Sequence, residues 1–191
     1  MDDRFRILVV CTANICRSPM IERMFRHGLV ERLGADATRF EVTSAGTWGH
    51  DGPSMHEFSA QVLGERGIDA SDFAPRVLVA EMVEQSDLVL TAAREHRAAV
   101  VTMCPSASRR AFTLLEFARL LGPVDPSALP AGDVVARARA LVEEAAGNRG
   151  LVPPDRPEDD DLADPIGRPM ADFRRAADHI AGALTGALAL L

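Results

Sequence analysis

The chain has 191 residues, of which 47% are hydrophobic and 26% charged, and a formal net charge of −7. This length and composition predict one globular domain over residues 1–191, and the acidic balance argues against nucleic acid as a partner. No apolar run reaches the ~18 residues that a membrane span requires, so no membrane partner is expected. The acidic start of the chain lacks the basic and apolar segments of a signal peptide, which predicts a cytoplasmic location.

Cysteine usage points to a reactive thiol instead of a structural framework. The chain has three cysteines and no CxxC pair. An odd count in a reducing compartment argues against a disulfide framework, and the spacing does not match a zinc site. We therefore expect no metal and no cofactor.

Hydrophobic patterning predicts an alternation of strands and helices. Short apolar or β-branched runs predict four strands, at residues 5–10, 40–43, 87–91 and 111–114. Apolar residues at helical spacing predict helices at about 18–33, 55–67, 79–85, 93–103 and 170–190. This order predicts an α/β fold, a three-layer sandwich in which helices cover both faces of a parallel sheet.

Residues 122–163 differ in composition from the rest of the chain. Prolines bracket one helical stretch at 133–146, and an acidic run at 158–161 follows it. The helix has enough apolar residues to dock on the domain but not to fold alone. We interpret this segment as a surface excursion of the single domain, with Asp159, Asp160 and Asp161 in a solvated loop.

Residues 11–19, with the sequence CTANICRSP, lie between the first predicted strand and the first predicted helix. Backbone N–H groups of such a loop can converge on an anion, and the helix N-terminus adds partial positive charge. Arg17 can hold two phosphate oxygens, and the positive field favours the reactive thiolate of Cys11. The hydroxyl of Ser18 can donate to that thiolate. The pattern therefore predicts phosphoryl transfer through a covalent cysteine intermediate.

This loop resembles the phosphate loop of the low-molecular-weight protein-tyrosine phosphatase family. The wider superfamily includes arsenate reductases of the same fold and bacterial protein-arginine phosphatases. The resemblance continues in residues 44–47 (SAGT), 86–90 (SDLVL) and 112–114 (FTL), and in the pair Asp164-Pro165. It covers most of the chain outside 122–163. It implies a central four-stranded parallel sheet of strand order 2-1-3-4, with the phosphate loop after strand 1.

The resemblance also assigns the catalytic roles. Cys11 is the nucleophile that becomes phosphocysteine, Arg17 binds the phosphate, and Asp164 is the general acid and base. Pro165 biases Asp164 towards an extended conformation, which presents its carboxylate at a set place. The expected substrate-binding residues are Thr12, Ala13, Asn14, Ile15, Cys16, Ser18 and Trp48, and the expected supports of the loop are Asn14, Ser18 and Ser44.

Several residues carry more than one interpretation. Trp48 is a wall of the substrate cleft or an anchor of a surface loop. Cys16 is a packing residue, or it forms the reversible disulfide with Cys11 that the resemblance implies for some members of the family. Cys104 is interpreted as structural. The histidines show neither metal spacing nor pairing with Cys11, and we assign no function to His27, His50, His56, His96 and His179.

The substrate is the least determined feature. The chain has no tyrosine, whereas many members of the resembling family carry tyrosines after the Asp-Pro pair; Ile166 and Arg168 stand here instead. Ile15 favours an aryl phosphate, because protein-arginine phosphatases carry threonine at that position. We expect a monomeric or weakly dimeric protein-tyrosine phosphatase that acts on phosphotyrosine proteins.

Three alternatives stay open. The first is a protein-arginine phosphatase or another small phosphomonoesterase of the same fold. The second is arsenate reduction, which the sequence disfavours because that reaction relays electrons through further cysteines and only Cys104 follows the loop. The third is a phosphate-binding regulatory module without turnover, which would need neither a nucleophile nor an acid.

Overall fold

The structure is a computed structural model that describes residues 4–49 and 54–191. At its centre lies a four-stranded parallel sheet with the order β2-β1-β3-β4. The strands are β1 (Phe5–Cys11), β2 (Phe40–Gly46), β3 (Leu88–Thr91) and β4 (Ala111–Thr113). This arrangement confirms the predicted fold class and the strand order 2-1-3-4. Residues 50–53 of the predicted loop, with His50, lie outside the described residues.

Each predicted helix has a counterpart in the structure. The helices are α1 (Arg17–Leu33), α2 (Glu57–Gly64), α3 (Ala80–Glu84), α4 (Arg94–Met103), α5 (Leu114–Leu121), α6 (Val134–Asn148) and α7 (Met170–Ala189). The helix α5 was not predicted. It begins directly after β4 because the Thr113 hydroxyl and the Glu116 carboxylate form a reciprocal capping box. No helix within residues 4–49 and 54–191 combines the length and apolar character needed to cross a membrane.

The sheet is buried on both faces. Alternate residues of β1 point to opposite sides: Phe5, Ile7 and Val9 join one apolar cluster, while Leu8 and Val10 join another. The first cluster includes residues of α1, α2, α5, α6 and α7, and the second includes residues of α3 and α4. Continuous burial of this kind explains why β1 is apolar without alternation.

The segment 122–163 contributes to the larger of these two clusters. Asp133 caps α6 by accepting a hydrogen bond from the N–H of Val135 at 3.0 Å. The apolar side of α6 is buried at Val135, Ala138, Leu141, Val142 and Ala145. The helix thus covers part of the core, as its amphipathic pattern predicts.

Candidate active site

The phosphate loop, residues 11–17, connects the end of β1 to the start of α1. Three of its carbonyls accept hydrogen bonds from backbone N–H groups outside the loop, in the pairs Cys11–Thr47, Thr12–Trp48 and Ile15–His56, at 2.8–2.9 Å. In a trans peptide the N–H points opposite to the carbonyl. The outward carbonyls therefore turn the N–H groups of the residues that follow them towards the centre of the loop, where they can bind an anion.

The end of β2 supports this loop from below. A Cβ atom at Gly46 would lie 2.6 Å from the Thr12 oxygen, 2.9 Å from the Ala13 carbonyl carbon and 3.0 Å from the Asn14 nitrogen. Only glycine allows the two backbones to approach this closely. Gly46 thus fixes how deeply the phosphate loop sits against the sheet.

Asn14 fixes the turn of the loop. Within the described residues it is the one non-glycine residue with positive φ, at 55°, a region that asparagine tolerates better than most residues. Its buried amide donates to Ser44 Oγ at 2.8 Å and to Ser18 Oγ at 2.9 Å. Its oxygen accepts the N–H of Arg76 at 2.9 Å. The side-chain NH2 and oxygen of Asn14 therefore connect the loop to α1, to β2 and to the segment around Arg76.

Glu22 extends this network and was missed from the sequence. The Ser44 hydroxyl donates to its carboxylate at 2.5 Å, and Arg26 contacts the same carboxylate at 3.1 Å. Glu22 is only 3% exposed, and the ion pair with Arg26 offsets the cost of burying its charge. No local motif marks Glu22, because its partner Ser44 lies 22 residues away.

The Cys11 thiol lies at the base of the loop, where it is 3% exposed. Its Sγ is 2.9 Å from the Ser18 hydroxyl oxygen. Because that oxygen already accepts a hydrogen bond from Asn14, its own proton is available for the sulfur. The arrangement can stabilise a thiolate, which is the nucleophilic form of cysteine.

Arg17 joins the phosphate loop to the distant Asp164. Its guanidinium is almost fully buried and donates from Nη1 to the Leu162 carbonyl at 3.2 Å and from Nη2 to Asp164 Oδ2 at 2.6 Å. The structure thus brings the predicted acid to the predicted phosphate-binding cation across 147 positions of the chain. The Asp164 side chain is 46% exposed, so it faces both Arg17 and the solvent.

The segment before Asp164 corrects the expectation of a solvated acidic loop. Asp159 is exposed, as expected, and pairs with Arg156 at 2.8 Å. Asp160 is buried and accepts three hydrogen bonds from Arg119, at 2.8–3.1 Å. Asp161 is partly buried and binds Arg94. The expectation was wrong for the last two residues because their partners come from remote helices, which the local composition does not reveal.

His96 was given no function from the sequence, yet it contacts the phosphate loop. Its Nε2 lies 2.9 Å from Thr12 Oγ1, and its buried Nδ1 has no hydrogen-bond partner. Burial, together with the nearby charge of Arg17, holds the pKa of His96 below its usual range. A neutral ring therefore supports the loop at Thr12.

The remaining predicted residues divide between the interior and the surface. Burial raises the pKa of the Cys16 thiol to about 12, against the opposing influence of the Ser59 hydroxyl, so this side chain stays a thiol that packs in the core. Cys16 is therefore expected to meet the phosphate through its backbone only. Trp48 is 75% exposed, and Ile166 and Arg168 are also exposed. Cys11, Cys16 and Cys104 are all free.

In the part of the chain that the structure describes, no group of three His, Cys, Asp or Glu side chains is placed to hold a metal ion. The site consists of an anion-binding backbone loop, a buried thiol, a buried guanidinium and one half-exposed carboxylate. These features define a class of candidate site: a loop suited to bind an anion, with a cysteine thiol at its start.

Comparison with known proteins identifies the family. The profile of the family described as low molecular weight phosphotyrosine protein phosphatase matches residues 6–148. The chain belongs to this family. The matched stretch contains the phosphate loop and ends before Asp164.

Individual relatives fall into two groups. The chain is 39% identical over 99 residues to the low molecular weight protein-tyrosine-phosphatase Etp of Escherichia coli K12, covering 52% of this chain and 62% of that protein. It is 27% identical over 176 residues to a protein-arginine-phosphatase of Geobacillus stearothermophilus, covering 92% and 88%. The chain spans just under two thirds of the length of the first curated relatives it matches.

A solved structure supports the same assignment. The low molecular weight protein tyrosine phosphatase from T. tengcongensis superposes with a TM-score of 0.69 and 28% identity, covering 98% of this chain and 99% of that one. The similarity thus includes the C-terminal part of the chain, where Asp164 lies.

Proposed function

We propose that this protein is a phosphomonoester hydrolase, specifically a protein-tyrosine phosphatase that acts through a phosphocysteine at Cys11. The observation that carries the proposal is the convergence of three groups at one loop. The Cys11 sulfur is hydrogen-bonded to Ser18, and the adjacent Arg17 is hydrogen-bonded to Asp164. A nucleophile, an anion-binding cation and a carboxylate within one site are the groups that two-step phosphoryl transfer needs.

In the first step the Cys11 thiolate attacks phosphorus, and the bond from phosphorus to the leaving oxygen breaks. Arg17 and the inward N–H groups of the loop stabilise the charge on the equatorial oxygens. Protonated Asp164 gives its proton to the leaving oxygen. In the second step Asp164 accepts a proton from water, whose oxygen attacks phosphorus. The S–P bond breaks, and the products are orthophosphate and the Cys11 thiolate.

Phosphotyrosine is the proposed substrate group because Ile15 and Trp48 give the cleft apolar surface. Ile15 is partly buried against the core, and Trp48, whose N–H bonds to the Thr12 carbonyl, is exposed and can stack on an aryl ring. Phosphoarginine is the second candidate, since a protein-arginine-phosphatase of Geobacillus stearothermophilus aligns with the chain over 176 residues. We further propose a cytoplasmic protein that is a monomer or a weak dimer and acts on phosphoproteins.

The test of the mechanism is the Cys11→Ser variant. We expect it to lose hydrolysis of para-nitrophenyl phosphate by at least about a thousandfold and to keep binding orthophosphate, because the loop and Arg17 are intact. Binding by titration calorimetry verifies that the site is folded. A variant that hydrolyses the substrate at the wild-type rate would refute the cysteine mechanism.

Substrate choice is decided by kcat/KM on paired peptides that differ only in phosphotyrosine or phosphoarginine. We expect the phosphotyrosine peptide to be preferred, and Ile15→Thr to move the preference towards phosphoarginine. A wild-type preference for phosphoarginine would establish the second candidate instead.

A further inference from the structure

The five residues 92–96, at the junction of β3 and α4, contact both loops of the proposed active site. The Ala92 carbonyl accepts the N–H of Leu162 at 2.8 Å. Arg94 binds Asp161 and His96 binds Thr12. We define the acid loop as residues 157–165. The phosphate loop and the acid loop are far apart in the chain, yet both contact the segment 92–96.

The contact between Arg94 and Asp161 is the most extensive of the three. The carboxylate of Asp161 accepts the backbone N–H of Arg94 at 2.7 Å and the guanidinium through three contacts of 2.8–3.2 Å. Partial burial raises the pKa of Asp161, but the hydrogen bonds from Arg94 outweigh it and the net shift is downward. The planar guanidinium fixes direction as well as distance.

Only two residues separate Asp164 from Asp161, and the backbone between them is restrained. Leu162 is 1% exposed, and both of its backbone groups are used: its N–H bonds to Ala92 and its carbonyl to Arg17. Pro165, directly after Asp164, is also buried and restricts the backbone before it. The position of Asp164 is therefore set jointly by these restraints and by the contact between Arg94 and Asp161, three residues before it.

We propose that Arg94 and Asp161 are positioning residues that hold Asp164 at the place where it protonates the leaving group. This inference rests on the proposed function, in which Asp164 is the acid. In this role Arg94 and Asp161 act through the acid loop and have no direct part in the chemistry. Proton transfer depends on the placement of the acid, so a looser acid loop weakens this step and leaves phosphate binding and the nucleophile intact.

The experiment compares kcat/KM for two substrates, because this parameter reports formation of phosphocysteine. Phenyl phosphate has a poor leaving group that needs the acid, whereas para-nitrophenyl phosphate has a good one. For Asp161→Asn and Arg94→Gln we expect a loss of roughly five- to twentyfold with phenyl phosphate and less than about twofold with para-nitrophenyl phosphate. The double variant should lose no more than the worse single variant.

Two further variants make the result decisive. Asp159→Asn is the matched control, because Asp159 lies on the 3-10 helix (Pro157–Asp160) that directly precedes Asp161 but its ion pair with Arg156 is exposed; we expect the hydrolysis of both substrates to be unaffected. Asp164→Asn is the reference and should show the strongest dependence on the leaving group. Since Arg94 is 48% exposed, its replacement by glutamine leaves the core intact and keeps the test available if Asp161→Asn does not fold.

The outcomes separate the two proposals. If Asp164→Asn discriminates between the substrates but Arg94→Gln and Asp161→Asn do not, the positioning role is wrong and the proposed mechanism stands. Equal losses with both substrates in these two variants also overturn the positioning role. If Asp164→Asn itself does not discriminate, the assignment of the acid fails, and the positioning role fails with it.

Discussion

At the scale of single residues, Asp164 occupies a donor of Arg17 that the proposed binding of phosphate would use. Arg17 donates from Nη2 to Asp164 at 2.6 Å, and bidentate binding of phosphate uses donors of the same group. Removing the carboxylate frees the donor and removes a like charge from the site. We therefore expect Asp164→Ala to lower the inhibition constant of orthophosphate at neutral pH by about three- to tenfold, or ~1 kcal/mol.

Competitive inhibition of para-nitrophenyl phosphate hydrolysis measures this constant. Asp159→Ala removes an equal charge from the exposed part of the same segment and should leave the constant unchanged. Weaker binding of orthophosphate to Asp164→Ala would show that the carboxylate orients Arg17 for phosphate instead of competing with it.

We expect His96 to make the stability of the protein depend on pH. Its pKa in the folded state is lowered from the ordinary value of 6.5, so below that pH the unfolded chain binds a proton that the folded protein does not. Stability is therefore fully present above pH 6.5 and is lost as the pH falls through the interval below it. We expect the Tm of the wild type to drop between pH 7.5 and about 5, and that of His96→Gln to drop less.

The comparison variant for this effect is His27→Gln. His27 is 42% exposed and pairs with Glu31 within α1, away from the phosphate loop. Thermal unfolding of the wild type, His96→Gln and His27→Gln at pH 7.5 and at about pH 5 tests whether His96 causes the pH dependence. The assignment to His96 would be refuted by a pH dependence of equal size in His96→Gln.

The sequence alone was sufficient to propose those candidate residues that share a motif or stand at a strand end. Cys11, Asn14, Arg17 and Ser18 are close in sequence, and the spacing of such a loop is itself a physical constraint. His96 was missed because its partner Thr12 lies 84 positions away, and the pairing of Asp161 with Arg94 spans 67 positions. Pairs of this kind depend on how helices pack over the sheet, which single-sequence patterns do not encode.

At the scale of the elements, the phosphate loop is positioned by the end of a neighbouring strand. A methyl group at Gly46 would meet backbone atoms of residues 12–14 at 2.6–3.0 Å, and backbone cannot rotate away as a flexible side chain can. Gly46→Ala should therefore displace the loop and reduce kcat/KM for para-nitrophenyl phosphate by roughly a hundredfold. The strain should also lower the free energy of unfolding by about 1–3 kcal/mol.

Gly49→Ala is the matched control for this substitution. The added methyl group would meet Val77 Cγ2 at 3.5 Å, which is an ordinary contact. Steady-state kinetics and urea unfolding of both variants test the argument. Wild-type kinetics in Gly46→Ala would show that the loop does not depend on its close approach to β2.

The burial of each strand and helix explains which elements could be predicted from the sequence. The strands and most helices follow from hydrophobic spacing, because burial on both faces of a parallel sheet leaves a clear apolar signal. The helix α5 carries the capping sequence Thr113-Leu114-Leu115-Glu116, so its start was present in the sequence although apolar patterning alone did not separate it from β4. Local capping chemistry thus adds information where a strand and a helix join without a loop.

At the scale of the whole molecule, the excursion 122–163 shares an apolar core with the elements that hold the candidate active site. Its helix α6 buries Leu141 to 3% exposure in the same apolar cluster as Phe173 of α7 and Met20 of α1. The segment then continues into the acid loop, where Asp160 binds Arg119 of α5. Because the segment 122–163 packs into the core and binds α5, it should unfold together with the sheet. The prediction of a single domain means that the whole chain unfolds as one cooperative unit.

Leu141→Ala tests this cooperativity. Truncating a fully buried leucine leaves a cavity and should cost about 2–5 kcal/mol, whereas Glu144→Ala, on the exposed side of α6, should change stability by less than about 0.5 kcal/mol. Urea unfolding is followed in parallel by far-ultraviolet circular dichroism and by loss of hydrolytic activity. If the excursion and the catalytic core are one unit, both signals shift together to a lower midpoint in Leu141→Ala. An activity transition that stays in place while part of the helical signal melts earlier would show that α6 unfolds separately, and the chain would then consist of more than one cooperative unit.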